Sequence, residues 1–238
     1  MFKLIILFGS LMVILLSGCV PLTLTGSGNV VTQEEPLTGF NSVDISHSFN
    51  VDISQGDSFS VVIRIDDNLI EHLHVVKQGD TLKIGLDPNR EFNILNATME
   101  AKVTMPELTG LDLSGSSDAN ITGFKSTKNL SVDLSGSSSL VGDIEAGDIS
   151  IDLSGSSDMT VAGSGADLTI DMSGSSDLDL AELPAVDAGV GASGSSSAIV
   201  NASGRLDVDA SGASDVYYLG DPNLGTISTS GSSTIQPR

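Results

Sequence analysis

Residues 111–121, 132–142, 151–161 and 170–180 read LDLSGSSDANI, VDLSGSSSLVG, IDLSGSSDMTV and IDMSGSSDLDL. Three looser copies follow: VGASGSSSAIV (190–200), VDASGASDVYY (208–218) and ISTSGSSTIQP (227–237). The Ser-Gly pair begins at Ser114, Ser135, Ser154, Ser173, Ser193, Ser211 and Ser230, at spacings of 21, 19, 19, 20, 18 and 19 residues. A period near 20 marks an array of stacked units. Apolar-Asp-apolar alternation, as in Val132-Asp133-Leu134, has the period of a strand. Gly, Ser, Asp and β-branched residues disfavour helix, and the leucine spacing and Asn ladder of leucine-rich repeats are missing. The reading is an all-β parallel β-helix or β-solenoid with coils of about 19–20 residues, each holding two or three short strands.

The physical reason for stacking is direct. One coil cannot bury its apolar face, whereas stacked coils pair strand on strand at about 4.8 Å and line up equivalent residues. Val, Ile and Leu then form inward ladders. Asp112, Asp133, Asp152, Asp171 and Asp209 fall in one outward column. Asp118, Asp158, Asp177 and Asp215 fall in another, interrupted by Ser139, Ser197 and Thr234. Ser-Gly falls at a corner that needs a glycine conformation or a close backbone approach. Stacked carboxylates repel. Asp118, Asp158, Asp177 and Asp215 are calcium candidates, set against a plain hydrated acidic surface; the nonapeptide calcium repeat is absent, which favours the hydrated surface.

The rest of the chain is β-rich but less regular. FNSVDISHSFNVDISQ (40–55), SFSVVIRID (58–66) and TLKIGL (81–86) read as strands, with turns at Gln55-Gly56-Asp57 and Gln78-Gly79-Asp80. Asp66-Asp67-Asn68 suggests a short helical turn with an Asp cap. At the start, Lys3 precedes an apolar run, LIILFGSLMVILL (4–16), too short to span a bilayer comfortably. Leu16-Ser17-Gly18-Cys19 resembles a bacterial lipobox. The resemblance implies cleavage before Cys19 and lipidation of its thiol, and Cys19 is the sole cysteine. The expected organisation is a lipoprotein signal peptide (1–18), a lipid-anchored tether (19–28), an irregular β-rich part (29–110) and a repeat β-solenoid (111–238) continuous with it. Val20 after the cysteine favours the outer membrane in a Gram-negative source; otherwise the outer face of the cytoplasmic membrane is expected.

Gly26-Ser27-Gly28-Asn29-Val30, Phe40-Asn41-Ser42-Val43, Val51-Asp52-Ile53-Ser54-Gln55-Gly56 and Leu82-Lys83-Ile84, followed by repeated LDLSGSSD units, carry a family resemblance. Together they resemble the bacterial domain of unknown function described as "putative auto-transporter adhesin, head GIN domain", over roughly residues 26–236. The resemblance implies a secreted or lipid-anchored β-helical protein and carries no catalytic set.

Composition narrows the function. With 31 acidic and 10 basic residues the formal charge is −21, and nucleic-acid binding needs the opposite surface. One cysteine excludes an internal disulfide framework. Gly189-Val190-Gly191-Ala192-Ser193-Gly194 matches G-x-G-x-x-G, but its last Gly belongs to the repeat and no helix pattern follows, so no cofactor is expected. His72 and His74 would need a third ligand, such as Asp66 or Glu71, to hold zinc. A polysaccharide-active enzyme on a β-helix is the alternative reading. It calls for a non-repetitive acidic pair with aromatic flanks; after Lys128 the aromatics are Tyr217 and Tyr218 and the bases Arg205 and Arg238. The favoured expectation is a non-enzymatic, lipid-anchored envelope protein, a recognition (adhesin-like) or scaffold module. Its partners would be the membrane, through its lipid, and a surface protein or glycan. Tyr217 and Tyr218 are partner-contact candidates, and the repeat-bearing C-terminal end is a candidate for homo-oligomerisation.

Overall fold

A computed structural model describes residues 22–238. Cys19 and the 1–18 signal segment lie outside the described residues. The N-terminal strands are β1 (Leu22–Thr25), β2 (Val30–Glu34), β3 (Ser42–Ile45), β4 (Asn50–Gln55) and β5 (Ser60–Asp66). A 3-10 turn, Asp67–His72, leads to β6 (Leu73–Gln78), β7 (Thr81–Leu86), β8 (Phe92–Leu95) and β9 (Met99–Met105). The repeats follow as pairs of strands: β10 (Gly110–Leu113) with β11 (Asp118–Lys125), β12 (Leu130–Leu134) with β13 (Ser139–Glu145), and β14 (Ile149–Leu153) with β15 (Asp158–Ser164). Next come β16 (Asp167–Met172) with β17 (Asp177–Ala185), β18 (Asp187–Ala192) with β19 (Ser197–Ala202), β20 (Arg205–Ala210) with β21 (Asp215–Leu219), and β22 (Asn223–Thr229) with β23 (Thr234–Pro237).

Each winding therefore holds two strands. The first strands of successive windings stack into one sheet, the second strands into a facing sheet, and every neighbouring pair from β10 to β23 is parallel. This is a β-solenoid. The register is the one the repeat demands: Leu111 opposes Val132, Val132 opposes Ile151, and Ile151 opposes Ile170. These side chains are buried between the sheets, and strand after strand alternates buried with exposed. The ladder thins toward the C-terminus, where Ala188, Ala192, Ala198, Ala202 and Ala210 fill the core. Inward positions of the last winding, Leu224 and Ile227, are exposed.

The corner between the two strands explains the SGSS motif. Its glycines, from Gly115 to Gly231, all have φ between 74° and 81°, the left-handed region where a side chain is strained. Each also lies against the winding before it. A Cβ on Gly155 would come within 2.4 Å of the Gly136 carbonyl oxygen, which accepts a hydrogen bond from the Ser156 amide at 2.8 Å. The ladder thus continues through the turn. The last serine of the motif is buried at Ser117, Ser138, Ser157, Ser176, Ser196 and Ser214. Its hydroxyl donates to the carbonyl of the first serine, as from Ser157 to Ser154 at 2.8 Å, closing the corner on itself.

The N-terminal part seals one end. β3 and β4 form a winding of their own, paired in parallel with β10 and β11. On their other side lie β7 and β9, so a winding made early in the chain sits between two made later. Antiparallel β6 covers β7, and antiparallel β5 and β2 cover β9. Phe40, Phe49 and Leu69 fill this region. Asp66 precedes the 3-10 turn, but its carboxylate does not cap it. Buried, it accepts from the amides of Gly28 and Thr98, each at 2.7 Å. Asp67 accepts from Ser27 Oγ and Asn29 Nδ2, both at 2.6 Å, and Asn68 binds the Ser27 amide and the Thr25 carbonyl. The stretch expected as the end of a tether is therefore gripped, and β1 pairs with β8 beside it.

Gly155→Ala should lower unfolding stability by about 3 kcal/mol or more, because left-handed strain adds to a clash with backbone that cannot move aside. Ser157→Ala should lower it by about 1–2 kcal/mol, through loss of the donor to the Ser154 carbonyl. Urea unfolding followed by circular dichroism measures both; equal midpoints for Gly155→Ala and wild type would remove the corner from the account.

Candidate functional site

Outward side chains of the first sheet form the acidic column. In register it runs Lys83, Asp44, Asp112, Asp133, Asp152, Asp171, Gly191, Asp209 and Ser228. Five aspartates thus stand on adjacent strands. Lys83 terminates the row through an ion pair with Asp44. Burial first, then the neighbouring Asp44 and Asp133, raise the Asp112 carboxyl above the ordinary carboxylate range, with Lys83 acting the other way. Burial, then Asp133 and Asp171, raise Asp152. The column and the corner serines beside it line a trough of about 610 Å³.

On the second sheet, Asp118 faces Ser139, Ser139 faces Asp158, Asp158 faces Asp177, Asp177 faces Ser197, and Ser197 faces Asp215. Only Asp158 and Asp177 are direct neighbours in this set. The others are two strand spacings apart, roughly 10 Å, which a cation with ligands at about 2.3–2.6 Å does not bridge. No group of three or more His, Cys, Asp or Glu among the described residues is placed to hold a metal ion. His72 ends the 3-10 turn and His74 lies on β6, so the two do not share a strand. His72 packs on Phe92 with ring centres 5.3 Å apart, and Asp66 is engaged in the N-terminal grip. The G-x-G-x-x-G stretch is strand β18 and the corner after it. Tyr217 faces outward between Ile199 and Gln236, while Tyr218 packs against the core.

One repeat escaped the sequence reading. VDISHSFNVDI (43–53) aligns with LDLSGSSDANI (111–121) position for position. His47 takes the place of the corner glycine, with φ 63°, and Phe49 takes the place of the buried serine. Burial lowers the His47 pKa; its Nδ1 lies 2.8 Å from Ser46 Oγ, and its ring meets Phe92 edge-on. The signal was present in the apolar-Asp-apolar-Ser frame, with the glycine replaced.

A second depression, of about 490 Å³, lies on the outer face of the second sheet across β5, β9, β4, β11 and β13. Its floor is Asn50 and Asp52 on β4 beside Asp118 and Asn120 on β11, with Asn50 opposite Asp118 and Asp52 opposite Asn120. Arg64, Glu100 and Lys102 rise on one side, and Val141 on the other. Of these residues only Asp118 is a ligand candidate on sequence grounds, because Asn50 meets Asp118 and Asp52 meets Asn120 through a register across 68 residues of chain.

The family model described as "putative auto-transporter adhesin, head GIN domain" matches residues 39–222. Among solved structures, a putative adhesin from Bacteroides fragilis superimposes with a TM-score of 0.84 at 20% identity, covering 90% of this chain and 100% of its own. A "putative lipid binding protein" from Parabacteroides distasonis gives 0.72 at 21% identity, covering 91% and 99%. A putative adhesin from Parabacteroides merdae gives 0.65 at 18%, covering 91% and 99%. At these identities the likeness is one of fold. No curated protein matches the chain. No helix among the described residues is long and apolar enough to cross a membrane.

Asp152→Asn removes a charge from between two others. The folded state holds the Asp152 proton more tightly than the unfolded chain does. Its unfavourable contribution is therefore complete at pH 7 and fades as the pH falls through the raised value. The variant should melt about 1–2 °C above wild type at pH 7, with the gap closing toward pH about 4. Thermal melts across that range check this; a variant that melts no higher at pH 7 counts against a repulsive column.

Proposed function

Because the chain belongs to the family described as "putative auto-transporter adhesin, head GIN domain", we propose that it is a non-enzymatic, lipid-anchored recognition module of the cell envelope. In this reading residues 1–18 are a signal peptide, Cys19 carries the lipid, and the body is presented from the outer membrane of a Gram-negative cell. The observation that carries the reading is where the chain enters the fold. Leu22, three residues after Cys19, begins a strand held at the sealed end by β8, and Asp66, Asp67 and Asn68 grip the residues that follow. An anchor at Cys19 therefore holds the sealed end toward the membrane. The windings, with outward rows rich in Asp, Ser, Thr and Asn, project away from it. Two or three acyl chains suffice for stable attachment.

Self-association through the last winding belongs to the same proposal, since Leu224 and Ile227 expose apolar surface there and Asn223–Arg238 carries no acidic residue to repel a second copy. A monomeric mass by light scattering at high concentration would remove that part alone.

Cys19→Ser should move the protein from the membrane pellet to the soluble fraction of cells expressing the full chain. The same lipid-free protein, labelled and offered to envelope fractions and to glycan- or protein-coated surfaces, should bind saturably. Retention of the variant in the pellet would sink the anchor, and absence of any saturable binding across a broad panel would leave a scaffold role in place of recognition.

A further inference from the structure

The polar groups at the corners are already engaged, each buried serine with a carbonyl of its own turn. Those in the depression over β4 and β11 are not. The hydrogen bonds within it are a long one, from Asn120 Nδ2 to Asp52 Oδ1 at 3.4 Å, and the Arg64–Glu100 ion pair at its margin. The side chains of Asn50, Lys102, Asp118 and Ser139 donate to and accept from no protein group among the described residues. We propose that this depression is a binding site for a neutral oligosaccharide, a proposal that rests on the recognition reading above and gives it a ligand class.

Four features point to that class. First, the floor is a square of alternating amide and carboxylate. Asn50 and Asp52 stand two apart on one strand, Asp118 and Asn120 two apart on the next, so unlike groups are neighbours in both directions. Amides both donate and accept while carboxylates accept, which is the pattern that vicinal hydroxyls satisfy. Second, the spacings are those of a sheet, about 4.8 Å between strands and about 6.7 Å along them, on the scale of a pyranose ring. Third, one of the two rows of the floor ends in apolar side chains. The row that contains Asp52 and Asn120 runs from Val62 to Val141, with the alkyl stem of Lys102 between, offering surface to the C–H faces of a sugar. Fourth, the charge is nearly balanced. Asp52, Glu100 and Asp118 face Arg64 and Lys102 in a chain of formal charge −21. An anionic glycan would meet two floor carboxylates, Asp52 and Asp118, that make no ion pair among the described residues, and a strongly cationic partner is served better by the aspartate row on the other sheet. The volume, about 490 Å³, lies in the range of small-ligand sites. No aromatic platform lines it, so single-site binding is weak and many copies on one surface would supply the avidity.

The test uses the mature chain carrying Cys19→Ser, titrated at millimolar concentration with maltotriose, cellotriose, mannotriose, xylotriose and triacetylchitotriose, and followed by amide NMR shifts. At least one trisaccharide should shift amides of β4 and β11 and leave the aspartate row of the other sheet unmoved. Asn50→Ala and Asn120→Ala replace exposed side chains and should each weaken that binding about tenfold or more. Asp152→Asn should leave it unchanged. Shifts confined elsewhere, variants that bind as wild type does, or no response to any of the five sugars would overturn the proposal. If the Asn variants still bind envelope fractions as tightly as wild type, recognition stands and this site falls; if no surface is bound at all, recognition falls with it.

Discussion

Everything in this molecule depends on one backbone constraint: parallel hydrogen bonding is carried around the bend between the two sheets as well as along the strands. A solenoid that paired only in its strands would leave unsatisfied amides and carbonyls at every corner, and in the core-facing parts of the turn water could not reach them. Here, from Gly136 onward, the amide after each corner glycine donates to the glycine carbonyl one winding earlier, as from Ser175 to Gly155 at 2.7 Å. That contact requires close approach, which explains why the position bears no side chain. It also forces the turn into the left-handed region. The buried serine then supplies the one donor that the tightened turn still needs. Register follows without further instruction, because sliding by one residue would place a side chain against a carbonyl at each corner at once.

The acidic column is a consequence of that register. Identical positions in identical units must superimpose, so an outward aspartate repeated in sequence becomes a row of carboxylates in space. The chain tolerates the row by exposing it to water, by ending it with Lys83, and by breaking it at Gly191. The second sheet dilutes its own row with Ser139 and Ser197. These are small adjustments to a cost that burial of Val132, Ile151, Ile170 and their neighbours far exceeds.

How much of this was legible in advance follows from the range of the interactions. The seven units display their own alignment, so strand identity, inward and outward faces and the glycine corner could be read from 111–237 directly. The N-terminal end could not. Its strands pair out of chain order, β3 with both β7 and β10, and nothing local in Ser42–Ile45 distinguishes these neighbours. Asp66 read as a helix cap because an acidic residue before a turn usually is one; its true partners, Gly28 and Thr98, lie more than 30 residues away on either side. His47 hid a repeat because the residue that defines the motif by eye is the one that changed. The groove over β4 and β11 was invisible for the same reason as the end cap: its floor is assembled from two distant segments.

The intercalated winding has a bearing on how the molecule comes into being. β3 and β4 are synthesised first among the solenoid strands, yet both their edges wait for chain that has still to emerge. Until Thr81–Met105 arrives on one flank, Ser42–Gln55 has no settled place. Once it does, a template exists with a single open side; β10 and β11 join it across 68 residues of chain, and every winding after them adds by contacts only about 20 residues apart. The topology thus separates long-range pairing, concentrated at β3 and β4, from the short-range pairing of the windings that follow, a division that the repeated half by itself would not impose.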